Sequence, residues 1–67
     1  MDEEVSETTL KLLKEEKGSC GAFVLLHKLR EEFGETLSEQ RIQEILDKLI
    51  EQKHIVFDKK NFIFKRP

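Results

Sequence analysis

The chain has 67 residues, of which 39% are charged and 37% hydrophobic, and a formal net charge of −2. That length allows one small core, burying only about 60% of the unfolded surface, so a second domain is excluded and residues 1–67 are expected to form a single unit. One cysteine, Cys20, excludes an internal disulfide, and no apolar run approaches the ~20 residues of a membrane span.

The acidic start MDEEVSE lacks the basic and then apolar pattern of a secretory signal. A lone cysteine fits a reducing compartment, so an intracellular site, nucleus or cytoplasm, is expected. The short length and the end at FKRP point to an excised domain. Charge is uneven along the chain. Residues 1–34 hold eight acids against five bases, and residues 35–53 hold five against three. Residues 54–67 reverse this, with Asp58 against Lys59, Lys60, Lys65 and Arg66.

A first helix is expected over about residues 3–17. Its N-terminal acids Asp2, Glu3, Glu4 and Glu7 suit the helix dipole. Val5, Thr9, Leu12 and Leu13 make its apolar stripe, flanked by Leu10, and Gly18 supplies a stop. "GSCG" is an extended link with room for a strand of two or three residues. A second helix is expected over about 22–33. Ala22, Leu25, Leu26, Leu29 and Phe33 define its buried face, widened at the start by Phe23 and Val24, and Gly34 ends it.

Thr36-Leu37-Ser38-Glu39 matches the capping box at the start of a third helix, expected over about 38–52. Ile42, Ile45, Leu46, Leu49 and Ile50 form the clearest periodic stripe in the chain. After Lys53 the period becomes that of strands. "HIVF" and "NFIF" flank the polar tip "DKK", so a hairpin with strands at about 54–57 and 62–65 is expected. The reading is an α+β fold, a three-helix bundle with a C-terminal β-hairpin, in the order α-β-α-α-β-β.

That order, with "AFVLLHKLREEF", "SEQRIQEILDKLIEQK" and "HIVFDKKNFIFKRP" in its three main parts, resembles the winged-helix family. The resemblance implies that Cys20 sits in the first short strand and that the last segment is the wing. It also implies a binding domain, because the family includes DNA binders, RNA binders and protein-interaction modules. "LIEQKHIVFDKK" is distantly similar in layout to the C-terminal winged-helix domain of cullin-type ubiquitin-ligase scaffolds. Those scaffolds carry a modifiable lysine early in the third helix. Here that region reads Gln40-Arg41-Ile42-Gln43-Glu44, with no lysine, so the similarity is one of architecture.

Catalysis and metal binding are poorly supported. A cysteine nucleophile needs a histidine within hydrogen-bond reach, and His27 and His54 lie seven and 34 residues beyond Cys20. Structural zinc needs four Cys or His ligands, and the chain has three such residues with no paired spacing. A buried structural thiol and two helix-edge or loop histidines are the simpler reading. The chain is expected to be non-catalytic, with no cofactor, no small-molecule substrate and no membrane association.

Two binding functions remain. In the first, the third helix and hairpin meet another protein or subunit, within a nucleic-acid-handling or ubiquitin-ligase assembly. Its residues are Glu39, Gln40, Gln43, Glu44 and Asp47 on the helix, with Val56 and Ile63 on the hairpin face turned from the core or covered by the N-terminal segment. In the second, the third helix enters a nucleic-acid groove and the wing follows the backbone. Arg41, Lys48, Lys59, Lys60, Lys65 and Arg66 would then neutralise phosphates, with Ser38, Gln40 and Gln43 reaching base edges. Glu39, Glu44, Asp47 and Glu51 oppose that, because like charges facing a phosphate row cost several kcal/mol in total. The electrostatics favour the protein partner.

Overall fold

Three amphipathic segments and a β-rich end fold as their periods require. The computed structural model describes residues 2–67. Helix α1 is Asp2–Glu15, strand β1 is Ser19–Gly21 and helix α2 is Ala22–Phe33. A 3₁₀ turn, Gly34–Thr36, leads to helix α3, Glu39–Glu51, and strands β2, Val56–Asp58, and β3, Ile63–Lys65, complete the chain. The order is the expected α-β-α-α-β-β, with a C-terminal hairpin.

The three strands form one antiparallel sheet in the order β1-β3-β2. Cys20 pairs with Phe64, and Phe64 with Phe57, so one row of side chains faces the helices. The opposite face carries Val56 beside Lys65, and Asp58 beside Ile63. α1 packs on α2, α3 and β1, which closes the core from the N-terminal side.

Val5, Leu13, Leu25, Leu29, Ile42, Ile45, Leu46, Leu49, Ile55 and Phe64 are buried together, as the stripes require. Thr9 is fully buried among them, and its hydroxyl is satisfied by donating to the Val5 carbonyl at 2.8 Å. Leu37 joins the core although it lies in what reads as a connection. Phe23 and Val24 do not widen the buried face of α2. Both are exposed, because Phe23 and Val24 lie about 160° and 100° around α2 from the buried Leu25, on the side turned from the core.

Helix ends explain where the expected boundaries shift. α1 ends at Glu15 because Lys17 takes φ 60°. The Gly18 amide then donates to the Leu13 carbonyl at 2.7 Å, and the Lys17 amide to Lys14. α3 ends the same way. Lys53 takes φ 65°, with the His54 amide on Leu49 at 2.9 Å and the Lys53 amide on Ile50 at 3.0 Å. Both are Schellman closures with lysine at the left-handed position that glycine usually fills. The α3 closure uses residues 53 and 54, so the hairpin begins at Val56 rather than His54.

The start of α3 departs from the capping box. Ser38, not Thr36, is the N-cap, and its Oγ accepts from the Arg41 amide at 3.1 Å. Thr36 instead donates its hydroxyl to the Phe33 carbonyl. The hairpin tip is organised by Asp58, whose Oδ1 accepts from the amides of Lys60 and Asn61 at 3.0 and 3.2 Å. Its Oδ2 accepts from the Asn61 side chain at 2.9 Å. The Asn61 side-chain bond, then the backbone bonds and nearby Lys65, hold the Asp58 carboxyl below the ordinary carboxylate value. Phe62 follows in a left-handed conformation, φ 55°, so the second strand starts at Ile63 rather than at 62.

Two measurements test this reading of the turns. Lys53→Gly removes a left-handed side-chain penalty of about 1–2 kcal/mol and returns about 0.5–1 kcal/mol of unfolded-state entropy. The denaturation midpoint should rise by the equivalent of about 0.5–1 kcal/mol at unchanged m-value. Gly34→Ala should do the reverse. Gly34 has φ 65° and ψ −154°, a region reserved for glycine, and a methyl there meets no atom within 4 Å. Its cost of about 1–3 kcal/mol is therefore conformational.

Asp58 gives a pH test. Its carboxyl is more acidic in the fold than in the open chain, so its contribution is complete above the ordinary carboxylate pKa, near 4. That contribution is lost as pH falls through its own lower value. In an NMR titration the Lys60 and Asn61 amides should move with a midpoint below that of an unperturbed aspartate, and Asp58→Ala should abolish the transition.

Candidate functional site

Between the start of α2, the length of α3 and the inner face of the hairpin lies a groove of about 340 Å³. Leu26, Leu46, Ile50 and Phe64 contribute to its apolar lining. Phe23, Phe57 and Phe62 line it from α2 and the hairpin. Glu39, Gln43 and Asp47 line it from α3. These three polar residues recur every four positions, so they form one stripe on the helix, about 12 Å long at 1.5 Å per residue.

The aromatic cluster is unusual in its exposure. Phe23 is 73% exposed and Phe62 47%. Their ring centroids lie 5.1 Å apart, and Phe62 meets Phe57 edge-on at 5.4 Å. Phe57 in turn contacts Phe64 at 4.9 Å, linking the cluster to the core. The Phe62 carbonyl accepts from the Ala22 amide at 3.0 Å, which ties the hairpin to the start of α2. A left-handed phenylalanine carries strain of order 1–3 kcal/mol, and asparagine or glycine would suit that loop position better. Such outliers persist where the surroundings hold them, and they cluster at binding sites.

The electrostatics of the groove are acidic on one wall and neutral on the other. Glu39 lies 3.6 Å from Arg30. The Asp47 carboxylate accepts from the Gln43 amide at 2.9 Å, and no cation pairs with it among the described residues. The hairpin wall presents rings. An apolar floor with a carboxylate at each end of one wall can hold apolar side chains and attract flanking cations.

The residues singled out for a protein partner are only partly brought together. Glu39, Gln43 and Asp47 share the groove. Gln40 and Glu44 do not line it; at roughly 100° per residue they lie about 20° and 60° around α3 beyond Asp47, past the edge of the groove wall. Val56 and Ile63 lie on the opposite face of the sheet, with Val56 40% exposed and Ile63 half-buried. Phe23, Phe57 and Phe62 were absent from the expected set. Their signal was weak: Phe23 reads as part of the core stripe, and Phe62 reads as a strand residue.

The residues singled out for nucleic acid are dispersed. Arg41 is engaged by Glu44 at 3.0 Å and by Asp2, whose Oδ1 lies 3.2 Å from its Nε. Lys48 helps line a depression between α1 and α3 to which Asp2, Glu3 and Glu7 also contribute. Lys59 and Lys60 are exposed at the hairpin tip, whereas Lys65 lies 3.7 Å from Asp58 on the outer sheet face. Arg66 follows β3 and donates its amide to Gly18.

Cys20 is buried in β1, and burial, outweighing the opposing pull of Lys28, pushes its thiol pKa up. A protonated buried thiol is a poor nucleophile. His27 is exposed and paired with the Glu31 carboxylate one helical turn on. Among the described residues no group of three His, Cys, Asp or Glu side chains is placed to hold a metal ion, and no helix is long and apolar enough to cross a membrane.

Comparison with known proteins returned nothing similar: no family model matches the chain, no curated protein matches it, and no solved structure matches it.

Proposed function

We propose that the chain is a non-catalytic winged-helix-type module that binds another protein through the groove between α2, α3 and the hairpin. The observation that carries this reading is the exposed Phe23–Phe62 pair at the mouth of an apolar groove. Solvent-exposed rings over an apolar floor are the usual composition of a protein contact. The α3 wall, with Glu39 and Asp47 along it, opposes a polyanion at the position where a DNA-reading helix would be inserted. The order of elements supports the winged-helix comparison, and that resemblance suggests a place in a larger nucleic-acid-handling or ubiquitin-ligase assembly.

The tip lysines Lys59 and Lys60 favour a second reading, contact with a nucleic-acid backbone. Without a continuous basic surface, such contact is weak and sequence-independent.

Titration of the ¹⁵N-labelled chain with a 16-base-pair duplex at 150 mM salt separates the two readings. The expected result is no shift of α3 amides, with small shifts at residues 59–61 that vanish as salt rises. Micromolar or tighter binding that moves α3 amides would defeat the protein-binding reading. Lys59→Glu with Lys60→Glu should abolish the tip shifts and leave the fold intact.

A further inference from the structure

We infer that the occupant of the groove is an amphipathic α-helix of a partner protein, with apolar anchors on one face and lysine or arginine beside them. This rests on the protein-binding reading above and names the partner's chemistry. Three observations define it.

The groove opens onto the face of the sheet, where Phe57 and Phe64 project. Strand N–H and C=O groups lie in the plane of the sheet, so they offer no ladder to an extended peptide in the groove. An occupant must satisfy its own backbone there, and a helix does so within itself. The apolar floor then receives residues at i, i+3 or i+4, and i+7 of that helix.

Charge sets the rest of the composition. Glu39 and Asp47 stand at the two ends of the stripe on α3, and Gln43 between them is neutral. A cation on the side of the partner facing α3 meets Asp47, which no cation of the chain pairs among the described residues, and a second about two helical turns away shares Glu39 with the exposed Arg30. The side facing Phe23 and Phe62 is apolar. One half-basic, half-apolar helix satisfies both walls.

Phe62 supplies the third observation. Its ring is held at the groove mouth by a left-handed backbone, while its carbonyl is anchored on Ala22 and its tip by the Asp58 turn. The residue nonetheless stays 47% exposed. A contact with a partner accounts for a ring kept in that place.

The test is a display selection of random 16-residue peptides on the full chain, followed by affinity measurement of one enriched peptide. The expected consensus has apolar residues at helical spacing flanked by Lys or Arg, and that peptide becomes helical when bound. Phe62→Asn should weaken it at least tenfold while the denaturation midpoint stays level or rises, because asparagine accepts the left-handed backbone. Phe23→Ala should also weaken it at least tenfold. Asp47→Lys should weaken it, whereas Glu44→Lys should leave affinity unchanged. Enriched peptides that are acidic, that bind in an extended form or that ignore Phe62→Asn would overturn the inference and leave the protein-binding reading standing. Absence of enrichment, or a concentration-dependent dimer seated in the groove, would also overturn it. Binding of the duplex through α3 would overturn both.

Discussion

Phe64 paired with Cys20 on one side and Phe57 on the other is the constraint from which the rest of the molecule follows. This row joins the early link of the chain to its last eleven residues. It turns one sheet face toward α2 and α3, and the Ala22–Phe62 hydrogen bond extends the same ladder to the first residue of α2. The hairpin is therefore fixed against two helices rather than swinging from the end of α3. The walls of the groove are held in position by that closure. Walls fixed in this way lower the ordering cost that association otherwise carries, which is what the proposed contact requires.

The distribution of charge follows the same geometry. Arg41, the one base in the first turn and a half of α3, is drawn toward Asp2 at the start of α1 and Glu44 one turn on. Lys48 lies on the same side, lining a depression that α1 also lines. Each base on α3 is thereby turned from the groove side of the helix, where Glu39 and Asp47 stand. The exposed pairs add little stability individually. Their larger effect is on which surface of α3 carries the field.

Much of the fold was legible in the chain because helical stripes are strong signals. Ile42, Ile45, Leu46 and Leu49 are buried as their spacing requires, and Cys20 lies in a three-residue strand. What was not legible depends on backbone conformation and on distance. Nothing in "EQKH" announces that Lys53 will turn left-handed and delay the hairpin. "DKKNF" reads as tip and strand, whereas Asp58 caps the tip and Phe62 becomes its last turn residue. The acidic face of α3 was visible as composition. Its division, with Glu39, Gln43 and Asp47 in the groove and Gln40 and Glu44 outside it, required the sheet to be placed. Val56 and Ile63 illustrate the converse, since alternation put them on the outer face but said nothing of how far that face lies from the groove.

The sheet is only three strands wide, and both outer strands have just three residues. Open strand edges are templates for association with other chains, and a molecule that also exposes phenylalanines should be vulnerable to it. Here β2 is flanked by Lys53, Lys59 and Lys60, ends in Asp58, and offers too little length to seed a fibre-like ladder. Phe57, the ring that β2 itself carries, is turned to Phe62 and Phe64 rather than along the strand edge. Short, charged edges of this kind oppose strand-to-strand pairing between copies of the chain.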